Sequence, residues 1–317
     1  MTAAVTAENL SESIKEEVEA PPRRSRPTRK QNLVGWSFAL PFVGLFVVFM
    51  AGPILVSLIT SFTDLRSTDI RSPFGVNFVG FDNYGDVFSD PKFRKAAVNT
   101  AIFVFVGVPL TMSLGLLAAV GLNQGIVKFR SVFRLGFYLP AITSIVAIAV
   151  VWRLLLGADT GLINGLLDVV GIDGPGWLND TQFALPSLIV MAAWKNLGFS
   201  MIVFLAGLQS IPVDLYEAAA VDGAKRWQPF RYITLPLLRP TILFVAVITS
   251  IGYLQFFEEP FVMTQGGPLD STLSVSYHAY NQFSFGNYGY TAAVSYVLFV
   301  AIAVFTFIQF RLLRPKT

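Results

Sequence analysis

The sequence predicts an all-α polytopic membrane protein. Six transmembrane helices are expected, both termini inside, with a short inner-face helix between the fourth and fifth. Three observations carry this expectation. Of 317 residues, 54% are hydrophobic and only 14% charged. The apolar residues fall in long uncharged runs such as Leu33–Phe62 and Ala96–Val127, and a bilayer span takes about 20 apolar residues. The basic residues concentrate in alternate connections, as they do where one side faces the cytoplasm.

Taken in order, residues 1–33 read as a disordered polar tail. Acids lead (Glu8, Glu12, Glu16, Glu17, Glu19), bases follow (Arg23, Arg24, Arg26, Arg29, Lys30), and prolines interleave. The basic end serves as a topology signal or as a lipid contact. Residues 34–314 then form the transmembrane domain. Its spans are expected near Val34–Phe62, Ala97–Leu122, Leu135–Leu156, Phe183–Leu208, Pro240–Phe257 and Tyr290–Phe310. Pro41, Pro53, Pro109, Pro140 and Pro186 fall inside them and imply kinks.

Lys and Arg set the orientation. The tail carries six, the second connection three, residues 209–239 four and the C-terminal end three; residues 157–184 and 258–290 carry none. This puts both termini and residues 210–240 on the inner face. The misfit is Lys92, Arg94 and Lys95, expected on a partly helical outer approach and balanced by Asp82, Asp86 and Asp90. The outer connections are long enough to receive a partner or simply to cover helix ends.

Much chemistry is excluded. With no cysteine and one histidine, His278, the chain holds neither a disulfide nor a His-rich metal cluster. No Gly-Lys pair occurs, hence no phosphate-binding loop of the G-x-x-x-x-G-K-[ST] type. Inside the predicted spans only Arg153 and Lys195 are ionisable. Arg153 lies near a helix end where it can snorkel. Lys195, nearer mid-helix, has a pathway role or a structural partner. Glu258 and Glu259 are expected to end the fifth span at the outer face. With Gln255 and Tyr253 they meet a polyhydroxylated solute or simply form an acidic interfacial end.

The polar stretch from Ser210 to Pro240 is the most informative. Asp214-Leu215-Tyr216-Glu217 has capping-box spacing, Pro212 suits a helix start, and Glu217-Ala218-Ala219-Ala220 favours helix. Gly223 ends it in a left-handed conformation. A second amphipathic piece with Trp227, Phe230, Tyr232 and Ile233 follows, bracketed by Pro236 and Pro240. This helix-turn-helix either docks a partner or lies in the membrane interface.

The spacing of Glu217-Ala218-Ala219, Asp222-Gly223, Ile233 and Leu235-Pro236 resembles the EAA motif of permease subunits in binding-protein-dependent ABC importers. Phe78 to Tyr84, Asn99-Thr100, Gly161 to Asn164, Trp177, and Thr264 to Pro268 resemble the maltose and glycerol-3-phosphate type of carbohydrate permease. The resemblance implies a multi-pass subunit of the bacterial cytoplasmic membrane, moving a sugar, oligosaccharide, polyol or glycerophosphodiester by alternating access. It implies a second homologous permease, two ATPase subunits holding ATP and Mg, an extracytoplasmic solute-binding protein and surrounding lipid. No cofactor on this chain and no nucleic acid are implied. By the same resemblance Glu217, Ala218, Ala219, Asp222, Gly223, Ile233, Leu235 and Pro236 form the ATPase-coupling segment. Gly266, Gly267 and Pro268 belong to an outer loop that meets the binding protein. Asn99, Trp194, Lys195, Tyr253, Gln255, Phe256 and Glu258 are the candidate solute-pathway residues, as polar or aromatic groups at suitable depth. The alternative is an ion-coupled carrier or channel without ATPases, which inverted repeats and buried ionisable groups would mark.

Overall fold

The computed structural model describes residues 29–71, 75–123, 129–159, 161–225 and 227–313. Most of the predicted tail, residues 1–28, lies outside them. The boundary at residue 33 moves: helix α1 (Arg29–Phe46) already includes the last tail residues. Two units separate within the first apolar run, residues 1–56 and 57–317. There α1 passes through a π-turn (Val47–Ala51) into α2 (Gly52–Thr60), within which the boundary falls. The π-turn immediately precedes Pro53, whose missing N–H interrupts the helical ladder.

The second unit is built on α3 (Asp82–Ser89), α4 (Pro91–Asn123), α5 (Arg130–Ile142), α6 (Ile145–Leu155), α7 (Leu162–Val169) and α8 (Ala184–Gln209). It continues with α9 (Asp214–Val221), α10 (Arg239–Leu254), α11 (Glu258–Met263), α12 (Val275–Ser284) and α13 (Tyr288–Leu313). Among the described residues four helices are long and apolar enough to span a membrane, Val34–Thr60, α4, α8 and α13, or up to six if each of two bent pairs is one span. The third predicted span is not a straight helix, and the fifth, Pro240–Phe257, is entered through a bend that precedes it. α5 and α6 meet at 99°, and Phe230–Leu237 meets α10 at 57°. The first break follows Pro140, after which Thr143 and Ser144 are extended.

Small residues set the packing. A Cβ on Gly115 of α4 would lie 2.6 Å from Ser200 Cβ on α8, and one on Gly207 2.6 Å from Thr241 Oγ1 of α10. A Cβ on Gly198 would strike the Phe137 carbonyl of α5. These notches let helix backbones approach closely, the main source of contact between helices in lipid. Outward faces stay apolar, with Phe105, Leu117, Phe299 and Phe307 exposed.

A polar cap covers one end of this unit. Asn83 donates to the Ser61 and Thr63 carbonyls (2.9 and 2.8 Å), and the Tyr84 hydroxyl meets Ser61 Oγ at 2.8 Å. In the next loop Trp177 Nε1 donates to Asn164 Oδ1 at 2.6 Å, and Asn164 donates to the Ala158 carbonyl. The basic trio here is not balanced by the nearby aspartates. Arg94 donates to the Phe88 and Ser89 carbonyls at the end of α3, and Lys95 to the Leu269 carbonyl. Asp90 instead starts α4, accepting the Lys92 N–H, and pairs with His278 Nε2 at 3.3 Å.

Two predictions follow from this packing. Gly115→Ala should lower the unfolding temperature in detergent, since overpacking costs about 1–3 kcal/mol. Gly121→Ala on the same helix has open space and should hold or raise it, by up to about 1 kcal/mol of helix propensity. Equal effects of the two would contradict the close approach of α4 and α8.

The second prediction concerns pH. Burial pulls the His278 pKa below its ordinary value, against the opposing pull of Asp90. Burial also pushes Asp90 up, but the Tyr290 hydroxyl, the Lys92 N–H and His278 outweigh it and hold its carboxyl low. The unfolded chain therefore protonates its histidine first, and cap stability falls as pH drops through the ordinary histidine range near 6.5. Asp90 adds acid sensitivity only below the ordinary carboxylate range. Amide exchange in α12, corrected for its intrinsic pH dependence, should be faster at about pH 5.5 than at 7.5. His278→Gln should flatten the difference.

Candidate functional site

Two places collect the residues singled out by sequence. The first lies at mid-depth in the bundle. Tyr253 enters the notch at Gly107, where an added Cβ would sit 2.8 Å from its ring, and its hydroxyl meets Thr111 Oγ1 at 2.7 Å. α10 ends one residue later. Phe256 is buried, stacked on Phe103 with centroids 3.9 Å apart. α11 then begins with Glu258 and Glu259 in its first turn, where the helix dipole favours carboxylates.

The two glutamates follow the end of α10 at Leu254. They share an open pocket of about 360 Å³ with Lys195, Asn196, Thr249 and Tyr253. Lys195 is the twelfth of the 26 residues of α8, so the glutamates lie beside the middle of that helix. Glu259 is only 8% exposed, and its Oε2 has no hydrogen-bond partner among the described residues. Sequence alone left Glu259 between a solute contact and an interfacial acid, and gave no signal for Thr249.

The other pathway candidates are placed differently. Lys195, Tyr253 and Glu258 come together; Trp194 instead packs on Trp152 at 5.7 Å and is exposed. Gln255 is exposed outside the pocket lining. The Phe256 side chain is committed to the core. Asn99 is buried near the cap and donates to the Asp270 and Leu273 carbonyls at 2.8 and 3.0 Å, bracing the turn that follows Pro268. Gly266 has φ +83°, with an added Cβ 3.3 Å from the Tyr277 ring. Gly267 and Pro268 line a separate pocket of about 440 Å³ with Arg153, Asn179 and Gln265.

The second place is the polar segment at the opposite end of the bundle. α9 is exposed along Glu217, Ala218 and Asp222, with Ala219 half-buried. The expected capping box is not formed. Val213 is already helical and is the N-cap without a side-chain bond, so Asp214 falls inside the helix. The C-terminus behaves as expected: Gly223 has φ +74°. Ala224 N–H bonds the Ala219 carbonyl and Gly223 N–H the Ala220 carbonyl, at 2.9 and 3.1 Å. Anchorage comes from Tyr216, whose hydroxyl meets Thr234 Oγ1 at 2.8 Å. Tyr216 and Ile233 pack against buried Leu208, Ile211 and Leu238. Leu235 and Pro236 are half-buried, whereas Val221, Trp227 and Tyr232 stay exposed. Within the motif, then, Ile233, Leu235 and Pro236 face the bundle, and Glu217, Ala218, Asp222 and Gly223 face outward.

Comparison with known proteins gives a consistent picture. Residues 32–317 match the family model described as binding-protein-dependent transport system inner membrane component. The chain is 37% identical over 299 residues to the lactose transport system permease protein LacF of Rhizobium radiobacter, covering 92% of this chain and 98% of that one. It is 35% identical over 278 residues to the arabinooligosaccharides transport system permease protein AraP of Bacillus subtilis, covering 87% of each. Among solved structures, a bacterial alginate ABC transporter in complex with alginate pentasaccharide-bound periplasmic protein superposes with TM-score 0.77 at 27% identity. The match covers 90% of this chain and 95% of that one. A second structure of a bacterial ABC transporter, involved in import of the acidic polysaccharide alginate, gives TM-score 0.76 at 26% identity, over 91% and 97%.

The Tyr216–Thr234 contact can be tested directly. Tyr216→Phe should loosen α9 by about 1 kcal/mol, about a fivefold faster amide exchange over Asp214–Val221. Thr234→Val should do the same, and the double variant should add little to either. Additive effects would mean that the two hydroxyls act separately.

Proposed function

Because the chain belongs to the binding-protein-dependent transport system inner membrane component family, we propose that it is the membrane-spanning permease of an ABC importer for sugars or oligosaccharides. The relatives named for lactose and arabinooligosaccharides support the carbohydrate class. In this reading the termini and residues 210–240 face the cytoplasm, as the Lys and Arg distribution indicates. The membrane is the bacterial cytoplasmic one. A second permease completes the pathway, two ATPases hold ATP and Mg, and an extracytoplasmic binding protein delivers solute at the capped end.

One observation carries the coupling role. A helix with an outward Glu217-Ala218 edge projects from the bundle and is fixed to it through Tyr216 and Thr234. Small alanines let a partner surface approach, Glu217 offers it an acceptor, and the tether transmits its displacement into α10. The chain lacks a phosphate-binding loop of the G-x-x-x-x-G-K-[ST] type, so the work of ATP hydrolysis enters here from a separate subunit. Alternating access then requires the helices joined to α9 to take two arrangements, each favoured by one nucleotide state of the partner.

Glu217→Lys tests the role in the assembled importer in proteoliposomes. It should cut solute uptake and solute-stimulated ATP hydrolysis by about tenfold or more, through a buried like-for-unlike charge exchange. Wild-type uptake by this variant would overturn the coupling role. Uptake by this chain alone, driven by an ion gradient without ATPases, would favour an ion-coupled carrier.

A further inference from the structure

We propose that Glu259 reads the hydroxyl groups of the passing solute, and that with Glu258 it makes the mid-depth pocket a site for uncharged carbohydrate, closed to solutes bearing carboxylate or phosphate. The proposal rests on the importer reading and narrows it. The relatives do not fix this point, since a superposable importer takes an acidic polysaccharide.

Tyr253 is taken by Thr111 and Asn196 by the Ala192 carbonyl, which among the described residues leaves Lys195 and the two glutamates as uncommitted polar groups of the pocket. Glu259 is more than nine-tenths buried, lines the pocket, and its Oε2 finds no donor among the described residues. A buried acceptor left without a donor is costly and marks a place where a donor is supplied from elsewhere. Lys195 lines the same pocket, yet no ion pair joins it to Glu258 or Glu259; the pair found among the described residues is His278–Asp90. Free donors on Lys195 and free acceptors on the glutamates thus face one space. A hydroxyl both donates and accepts, so a polyol satisfies both sets at once. A carboxylate or phosphate only accepts. It would meet the single ammonium but leave Glu259 without a donor, and it would bring a third negative group beside two carboxyls at a depth of weak screening.

The chain has no cysteine, so one introduced thiol reports on the pocket without background. Gly252 lines the pocket and a Cβ there meets nothing within 4 Å. In Gly252→Cys, the rates of reaction with a cationic and an anionic methanethiosulfonate of similar size are compared, normalised to free cysteine. The normalised ratio should favour the cation by about tenfold. Adding Glu258→Gln and Glu259→Gln should abolish that preference or turn it toward the anion, since Lys195 remains in the lining. A Gly252→Cys ratio that favours the anion with both glutamates in place, or one that both substitutions leave unchanged, overturns the charge assignment. In the second arm the assembled importer is offered lactose, trehalose and lactobionate. Glu259→Leu should cut neutral disaccharide uptake by about tenfold or more, with the binding protein's own affinity unchanged. Glu259→Gln, which keeps an acceptor, should cut it less. Normal uptake by Glu259→Leu, or lactobionate uptake equal to lactose in the unmodified importer, overturns the proposal. If the unmodified importer moves none of the three, the carbohydrate reading fails with it, while the thiol ratio still decides the charge preference.

Discussion

The arrangement depends on Tyr253 lying in the notch at Gly107, with its hydroxyl on Thr111 at 2.7 Å. Gly107 and Thr111 are one helical turn apart on α4, so a single face supplies both the space and the partner. This contact fixes where α10 stops. Because α10 stops there, Phe256 turns into the core against Phe103, and the first turn of α11 arrives opposite Lys195. A side chain at position 107 would displace Tyr253 and move the end of α10, and with it both glutamates.

The pocket and the exposed segment share two continuous helices. α8 carries Lys195 at its middle and runs into buried Ile211 just before α9. α10 carries Tyr253 and begins just beyond Thr234, which holds Tyr216 of α9. A displacement of α9 therefore bears on both walls of the pocket through packed and hydrogen-bonded contacts, without a flexible linker. Such continuity is a physical route for coupling, and two discrete arrangements of these helices would give it a direction.

Sequence revealed the helices better than their interruptions. The long apolar runs identified α4, α8 and α13 because hydropathy needs only composition over a window. Hydropathy does not register the 99° break between α5 and α6, because the residues around Thr143 and Ser144 continue the run; Pro140 marked a kink there but not its size. Counting along a span also does not show what its end packs against: Glu258 and Glu259 share a pocket with Lys195 of α8. Gly223 was legible because a left-handed terminus has a strong residue preference. The box at Asp214 was not, since spacing does not say whether the helix starts one residue earlier, as it does at Val213. Asn99 shows a further limit. Its depth and chemistry suit a solute, but the carbonyls it satisfies come from a turn about 170 residues later, a pairing that sequence separation hides.

The polar residues at mid-depth are compatible with a membrane because three helix segments each contribute a few of them to one space. α8 turns Lys195 and Asn196 toward it, α10 turns Thr249 and Tyr253, and α11 brings its glutamates. Away from the pocket the same helices keep Val190, Ile202 and Phe244 exposed. No single helix is amphipathic enough to announce the site, and Lys195 read alone is ambiguous between a pathway and a structural partner. Charge inside a bilayer is tolerated where it faces protein or a water-filled cavity. Here the cavity lies where α10 stops at Leu254 and α11 brings its glutamates in beside α8, so the ionisable residues and a helix end occur together.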